Sequence, residues 1–134
     1  MIKTYLMGTT ALVATLFLLT AAPAWSKPNV SDFARQCDSG NQKACRDLAK
    51  VALEDRDANF RKTATLALTD QSLLAKIAVE DRDAFVRLAA ASKLSDQSLL
   101  SKIAVDDIDA IVRIAATERL TDQSLLARIA GNAR

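Results

Sequence analysis

Apolar residues recur along this chain at the spacing of an α-helix, and the whole pattern repeats every 26 residues. Three copies align without a gap from Lys50, Lys76 and Lys102, and a fourth starts at Arg128. Within one copy, a first stripe at helical spacing comprises Leu73, Leu74, Ile77 and Ala78. A second stripe comprises Val86, Ala90 and Leu94. Each copy therefore predicts two amphipathic helices.

Short polar segments separate the stripes and predict where each helix begins. Thr69 and Ser95 precede first helices and Asp83 precedes a second helix, and all three residue types cap helix N-termini. We expect each of them to be an N-cap. Connections of two or three residues make consecutive helices antiparallel. A single helix cannot bury its stripe alone, whereas stacked pairs can.

The predicted fold is all-α: a right-handed α-solenoid of stacked antiparallel helix pairs, with about eight short helices. We expect the first helix near Val30–Cys37 and the last near Asp122–Ala130. The predicted segments are N-terminal capping helices at 30–49, units at 50–75, 76–101 and 102–127, and a partial unit at 128–134. Small residues on the second helices allow close stacking, namely Ala64, Ala89, Ala90, Ala115 and Ala116.

An aspartate followed by a Val-Arg pair and two alanines recurs in the second helices, as in Asp83…Val86-Arg87…Ala90-Ala91. Over roughly residues 48–130, this pattern resembles HEAT-like repeats, in particular the short bacterial ones and the leucine-rich variant repeat. The resemblance implies a structural ladder of hydrogen bonds between units, formed by Asp57, Arg61, Asp83, Arg87, Asp109 and Arg113. In leucine-rich variant repeats one helix of each unit is 3₁₀, so α and 3₁₀ both remain open for the second helices.

The first 26 residues have the order of a secretory signal peptide. Lys3 is followed by an apolar stretch from Leu6 to Ala22, and small residues suit cleavage after Ala24 or Ser26. We therefore predict that residues 1–26 are removed and that the protein is periplasmic or secreted. An uncleaved membrane anchor is the alternative, although the stretch is near the lower length limit for spanning.

Cys37 and Cys45 both follow the predicted signal peptide, and an even number of cysteines in an exported chain favours a disulfide. On one continuous helix they would lie about 12 Å apart along the axis, whereas a disulfide needs Cα atoms within about 7 Å. Bridging therefore requires a chain reversal, which Ser39–Asn41 can supply. Two free buried thiols are the alternative. The segment also resembles the cysteine-paired junctions of Sel1-like repeats.

The composition leaves little basis for catalysis. The chain has no histidine, three glycines, and 18 basic against 16 acidic residues. Metal sites built on histidine and cysteine, base-activated nucleophiles and glycine-rich phosphate loops therefore lack their residues. The near-neutral charge gives no electrostatic footprint for nucleic acid. We expect no enzymatic activity, no catalytic residues, no cofactor and no metal.

An acidic turn separates the two helices of each unit, at 54–57, 80–83 and 106–109. Clustered carboxylates bind Ca²⁺, so a calcium site is one interpretation. The other is that one aspartate of each turn caps the next helix and the rest are solvated. Successive turns would lie about 8–10 Å apart, which is too far for one ion to join two of them and favours capping.

Apolar residues occupy positions on the second helices where the first unit has polar ones. This candidate partner surface comprises Phe85, Leu88, Ile108, Ile111 and Ile114. The residues either fill the space between units or line an apolar groove that binds a partner. We expect Leu88 and Ile114 to be packed, and Phe85 and Ile111 to be partly exposed.

The function that these features favour is an exported, non-enzymatic protein–protein interaction module or scaffold. Its partner is expected to be a protein or peptide, not nucleic acid, and not a membrane once the signal peptide is removed. Two alternatives stay open: a self-associating structural protein of the envelope, which would be a homo-oligomer, and a periplasmic inhibitor or immunity-type protein.

Overall fold

A computed structural model describes residues 29–132, and every regular element in that range is an α-helix. The eight helices are α1 (Val30–Asp38), α2 (Gln42–Glu54), α3 (Ala58–Ala67), α4 (Gln71–Glu80), α5 (Ala84–Ala91), α6 (Gln97–Asp106), α7 (Ala110–Glu118) and α8 (Gln123–Asn132). The all-α prediction is confirmed, and the second helices are α rather than 3₁₀. The predicted signal peptide, residues 1–26, lies outside the described residues. Within residues 29–132, no helix has the length and apolar character needed to cross a membrane.

An aspartate caps the first helix of each pair. Asp70 is the N-cap of α4, and its Oδ1 accepts hydrogen bonds from the backbone N–H groups two and three residues later, at 2.8 and 3.2 Å. Asp96 caps α6 in the same way. The prediction that Thr69 and Ser95 are the N-caps was wrong, because a carboxylate is the stronger acceptor and the helix dipole favours its negative charge. Asp83 caps α5 as predicted.

The helices form two rows. The first row contains α2, α4, α6 and α8, and the second row contains α1, α3, α5 and α7. The pairs α2–α3, α4–α5 and α6–α7 pack across the rows; along the second row α3 packs closely on α5 and α5 on α7, whereas first-row neighbours touch at few positions. Small side chains account for the closer spacing, since Ala64, Ala90 and Ala116 are fully buried. This arrangement is an α-solenoid.

The hydrophobic core lies between the two rows and uses equivalent positions of successive units. One leucine from each of the first-row helices α2, α4 and α6 is at most 1 % exposed: Leu48, Leu74 and Leu100. Burying such a side chain contributes roughly 1.5–3 kcal/mol. From the second row, Val86 and Val112 complete this layer and are fully buried. Leu94 follows the end of α5 and is also buried, so the predicted stripe is a core stripe although the helix stops at Ala91.

The structural units are out of phase with the sequence units. The sequence units start at Lys50, Lys76 and Lys102, and all three positions lie inside first-row helices. An ungapped repeat gives the period of a solenoid but not the residue at which a helix pair begins. Residues 30–49 were predicted to form N-terminal capping helices. In the structure, α2 is instead the first helix of a complete pair, and α1 alone covers the N-terminal end of the stack.

A disulfide bond joins α1 to α2. Cys37 and Cys45 are bonded with their Cα atoms 4.6 Å apart. Between them, Gly40 adopts a φ of 92°, a left-handed conformation that favours glycine, and its N–H donates to the Cys37 carbonyl at 2.9 Å. Asn41 then caps α2. The chain reversal and cysteine pairing that the sequence predicts are confirmed, and the bond fastens α1 to the first helix pair.

Replacing both Cys37 and Cys45 by serine should destabilise the protein by about 2–3 kcal/mol, because the bond limits the freedom of the unfolded chain. The free energy of unfolding, measured without reductant for the parent and the double variant, checks this value. Mass spectrometry after alkylation of the native parent is the control, and two reactive thiols there would contradict the bond.

Candidate interaction surface

Two arginines are buried at the junctions between successive units, and each binds a carboxylate of the next unit. Arg61 on α3 is 3 % exposed. Its Nε and Nη2 donate to the two carboxylate oxygens of Asp81 at 2.9 and 3.0 Å, and its Nη1 donates to the Asp55 carbonyl at 2.8 Å. Arg87 on α5 repeats the arrangement with Asp107 at 2.9 and 3.0 Å. The planar guanidinium matches two carboxylate oxygens at once, which favours this geometry.

The carboxylates of this ladder lie two residues before those that the sequence predicted. The partners are Asp81 and Asp107, so the assignment of Asp83 and Asp109 as partners of the arginines was wrong. Asp83 and Asp57 instead accept hydrogen bonds from the first backbone N–H groups of α5 and α3. An N-cap carboxylate faces its own helix, whereas the residue two positions earlier lies in the turn and faces the preceding unit.

Arg113 is the third arginine of the series and has a different environment. It is half-buried, and its Nη1 donates to the Asp107 carbonyl at 2.8 Å, as its counterparts do in their own units. Within residues 29–132, no carboxylate forms an ion pair with it. Asp81 lies 20 residues after its partner Arg61. At the same separation, the partner of Arg113 would be residue 133, which is an alanine, Ala133.

The paired arginines keep the ladder carboxylates ionised. Burial alone would raise the pKa of the Asp81 carboxyl, but hydrogen bonds from Arg61 and from the Asp83 N–H, together with the positive charge of Arg61, outweigh burial and lower that pKa below its ordinary value. The same balance lowers the pKa of Asp107, with Arg87 as its partner.

Glutamines form a second set of bonds between units, which the sequence reasoning did not predict. The Oε1 of Gln71 accepts from the Ser95 N–H at 3.0 Å, and its Nε2 donates to the Lys93 carbonyl at 3.2 Å. Gln97 likewise accepts from the Thr121 N–H at 2.8 Å. The available signal was the recurrence of Asp-Gln-Ser in every unit, but a surface glutamine has no distinctive chemistry that reveals its partner.

Basic side chains that follow the second-row helices bind the preceding unit. The Nζ of Lys93 donates to the carbonyls of Leu66 and Leu68 at the end of α3. Arg119 occupies the equivalent position after α7 and donates to the Leu94 carbonyl at 3.2 Å. A cation is favourable at the C-terminal end of a helix, where carbonyls lack intrahelical partners. Each junction is therefore bonded at both ends of its second-row helices.

The acidic turns take part in this ladder and in capping. The Oδ1 of Asp81 also accepts from the Asp83 N–H, and that of Asp107 from the Asp109 N–H, both at 2.8 Å. Within the part of the chain that the structure describes, no three His, Cys, Asp or Glu side chains are grouped so that they could hold a metal ion. The calcium interpretation therefore receives no support.

The exposed side of the second row is an array of three positions on each of three units. We call it the second-row face, and it comprises Arg56, Asn59 and Lys62, then Arg82, Phe85 and Leu88, and then Ile108, Ile111 and Ile114. Two contacts between units connect it. The Arg82 guanidinium donates to the Arg56 carbonyl at 3.3 Å, and the Lys62 Nζ lies 5.9 Å from the centre of the Phe85 ring. These contacts join the first unit of the face to the second.

The second-row face becomes apolar towards α7, and much of this apolar surface is exposed. Ile108 is 89 % exposed, Phe85 59 % and Ile114 57 %. Leu88 and Ile111 are half-buried and pack against the core, which agrees with the predicted packing of Leu88 and the predicted partial exposure of Ile111. The exposure of Phe85 also agrees with its prediction. The prediction that Ile114 is packed was wrong, because no described second-row helix covers that side of α7.

Clefts also open between neighbouring helices. One of about 480 Å³ lies beside α1 and α2 and is lined by Phe33, Asp47, Lys50, Val51, Glu54 and Asp55. Another lies between α6 and α8 and is lined by side chains that include Lys102, Asp106 and Arg128. Both clefts mix charges of opposite sign, so neither selects a ligand of one charge. The second-row face is the stronger candidate for recognition.

No protein-family model, curated protein or solved structure matches this chain. The resemblance to HEAT-like repeats therefore stays a prediction from the repeat pattern. The fold and the surface define a small α-solenoid with an exposed apolar face.

Arg87→Ala should lower the free energy of unfolding by about 3–5 kcal/mol, because it leaves Asp107 buried and charged without its partner. Arg113→Ala is the matched control: it removes the equivalent arginine where no carboxylate pair exists, and should cost about 1 kcal/mol or less. Denaturant unfolding of both variants measures the difference. Equal losses in the two variants would contradict a stabilising role for the ion pair.

Acid should remove the contribution of the Asp107 carboxylate. Its pKa is lowered in the folded protein, so its stabilisation is complete above the unfolded pKa of about 3.9 and is lost as the pH falls through the folded pKa. The gap in unfolding free energy between the parent and Asp107→Asn should therefore be constant near neutral pH and narrow below about pH 4. Denaturant unfolding at several pH values measures the gap, and a gap that stays constant in acid would be inconsistent with a lowered pKa.

Proposed function

We propose that this protein is an exported, non-enzymatic interaction module that binds another protein or peptide through the apolar part of its second-row face. One observation carries this proposal: Phe85 and Ile108 are exposed where the first unit has polar residues. Stacking does not require apolar side chains there, because the first unit packs on the second with Asn59 and Arg56 at these positions. Exposed apolar side chains grouped on one side of a protein are typical of a binding site.

The chemistry of the face fits a protein or peptide partner. Its centre offers aliphatic and aromatic carbon from Phe85, Leu88 and Ile111, and its edge carries Arg82 and Lys62. Protein interfaces commonly combine an apolar centre with a polar rim, and arginine is enriched in them. The small number of aromatic residues argues against a carbohydrate platform, which relies on stacked rings.

Two features support export. The order of charged, apolar and small residues before Lys27 is that of a signal peptide. The bond between Cys37 and Cys45 is of a kind that persists in oxidising compartments. Together they favour a periplasmic or secreted location.

A non-enzymatic role is supported by the state of the reactive groups. The chain has no histidine to act as a general base, and both cysteines are bonded to each other. The buried carboxylates, Asp81 and Asp107, are each occupied by an arginine. A nucleophile beside an activating base, which covalent catalysis needs, is therefore missing from these groups.

A photo-crosslinking residue at position 85, in protein produced in its native cells, should yield an adduct of defined mass with a partner protein. The matched control carries the same residue at position 59, the equivalent position of the polar first unit, and should yield little or none. Ile108→Lys should abolish the adduct from position 85 while changing the unfolding free energy by no more than about 0.5 kcal/mol, because Ile108 is exposed.

Three outcomes of this experiment decide between the functions. Loss of the adduct in a folded Ile108→Lys protein supports the face as the binding surface. Equal adducts from positions 85 and 59 would contradict it. An adduct between two copies of the chain, with a doubled mass in light scattering, would favour the self-associating protein instead.

A further inference from the structure

The described part of the solenoid ends in half a unit. The first-row helix α8 packs against α6, but no described second-row helix pairs with α8 or stacks on α7. In the preceding units that place is filled, by α5 for α4 and by α7 for α6. The structure therefore contains the two walls of a seat for one more helix, which we call the terminal seat.

One wall of the terminal seat is the uncovered side of α7. It is formed by Ala110, Arg113, Ile114 and Thr117, which are spaced as one helix face. The equivalent positions on α5 are far less accessible: Arg87 is 6 % and Ala91 0 % exposed, whereas Arg113 and Thr117 are half-buried. In the earlier units, the equivalent side chains pack against the next second-row helix, and α7 lacks this contact in the described residues.

The other wall is the core-facing side of α8. Leu126 and Ile129 are half-buried and Ala130 is exposed. Their equivalents in α4 and α6 are at most 5 % exposed, namely Leu74, Ile77, Ala78, Leu100, Ile103 and Ala104. An apolar face that α4 and α6 bury is thus left open on α8.

Arg113 gives the terminal seat a chemical preference. Its Nη1 is anchored to the carbonyl of its own turn, as in Arg61 and Arg87, and those two use Nε and Nη2 for a carboxylate of the next unit. The two preceding junctions therefore show what a filled seat contains: a second-row helix with small buried side chains, and an aspartate two residues before its N-cap.

We propose that the terminal seat binds one amphipathic helix of a separate polypeptide, whose N-terminal turn presents an aspartate carboxylate to Arg113. The occupant resembles Asp107–Leu120 of this chain, in which Asp107 lies before the helix and Val112 and Ala116 are fully buried. This inference goes beyond the proposed function, because it names a second site and the chemistry of its ligand.

A second copy of the chain does not offer such a helix. Its helices that follow an aspartate in this way are α3, α5 and α7, and each is already packed against its own neighbours. The aspartate that precedes α3 is Asp55, and α1 covers that end of the stack. A separate polypeptide therefore fits the seat better than self-association does.

A synthetic peptide with the sequence of Asp107–Leu120 is the probe, titrated into the full chain and followed by fluorescence anisotropy. Changing the aspartate that corresponds to Asp107 to asparagine in the peptide should weaken binding about tenfold or more, since a charge-assisted bidentate pair is lost. The same peptide change should have little effect on Arg113→Gln protein, which isolates the pairing in a double-mutant cycle. Ile108→Lys protein, altered on the second-row face but outside the seat, should bind the peptide like the parent.

Isolated short helices are only marginally stable in water, so a second experiment fuses the same segment to Arg134 through a flexible linker. The linker gives the segment an effective concentration in the mM range. The appended segment should raise the Tm relative to a scrambled segment, and its Asp→Asn version should raise it less. Failure of both the free and the appended segment to exceed the scrambled one would overturn the proposal. Equal binding to the parent and to Arg113→Gln would overturn the carboxylate recognition. A dimer in light scattering that Ile129→Lys dissociates would assign the seat to a second copy.

Discussion

The buried pairing of an arginine on one unit with an aspartate on the next is the interaction on which the stack depends. In the Arg61–Asp81 pair the guanidinium also binds a carbonyl of its own turn, so one side chain joins three segments of backbone. Buried ion pairs add little net stability compared with apolar packing, but breaking one is costly. We infer that the pairs act mainly by specifying which helix faces meet, while Leu74, Val86 and their equivalents supply most of the burial energy.

A solenoid built this way is sensitive to its ends, because each unit is stabilised by its neighbours. At the N-terminal end, α1 covers the stack and the Cys37–Cys45 bond holds it there. At the other end of the described residues, Arg113, Ile114 and Ile129 remain accessible. From the N-terminal end towards α7, the side chains of the second-row face also change from polar to apolar. The second-row face and the terminal seat therefore adjoin each other at α7, where Ile114 is exposed.

The 26-residue pattern was sufficient to predict an all-α solenoid, because the helical stripes repeat and short connections force helices to pair. It did not give the phase of the units, since a repeat has no intrinsic first residue. The ladder arginines could be identified from the repeat pattern, but each turn contains two aspartates that could bind them. Only the three-dimensional structure shows that Asp83 is the N-cap of the next helix and that Asp81 is the partner of Arg61. The prediction that Ile114 is packed was wrong for a related reason: its burial depends on whether a neighbouring helix covers it, which the residues around Ile114 do not specify.

Amide hydrogen exchange along the purified full chain tests most directly whether the solenoid is open at α8. Equivalent first-row helices have nearly the same sequence, so differences in protection report their packing rather than their composition. With the terminal seat empty, α8 exchanges much faster than α4 and α6, and a peptide with the sequence of Asp107–Leu120 slows exchange in α7 and α8 but not in α2 or α3. Protection of α8 equal to that of α6 in the free protein would contradict an open seat.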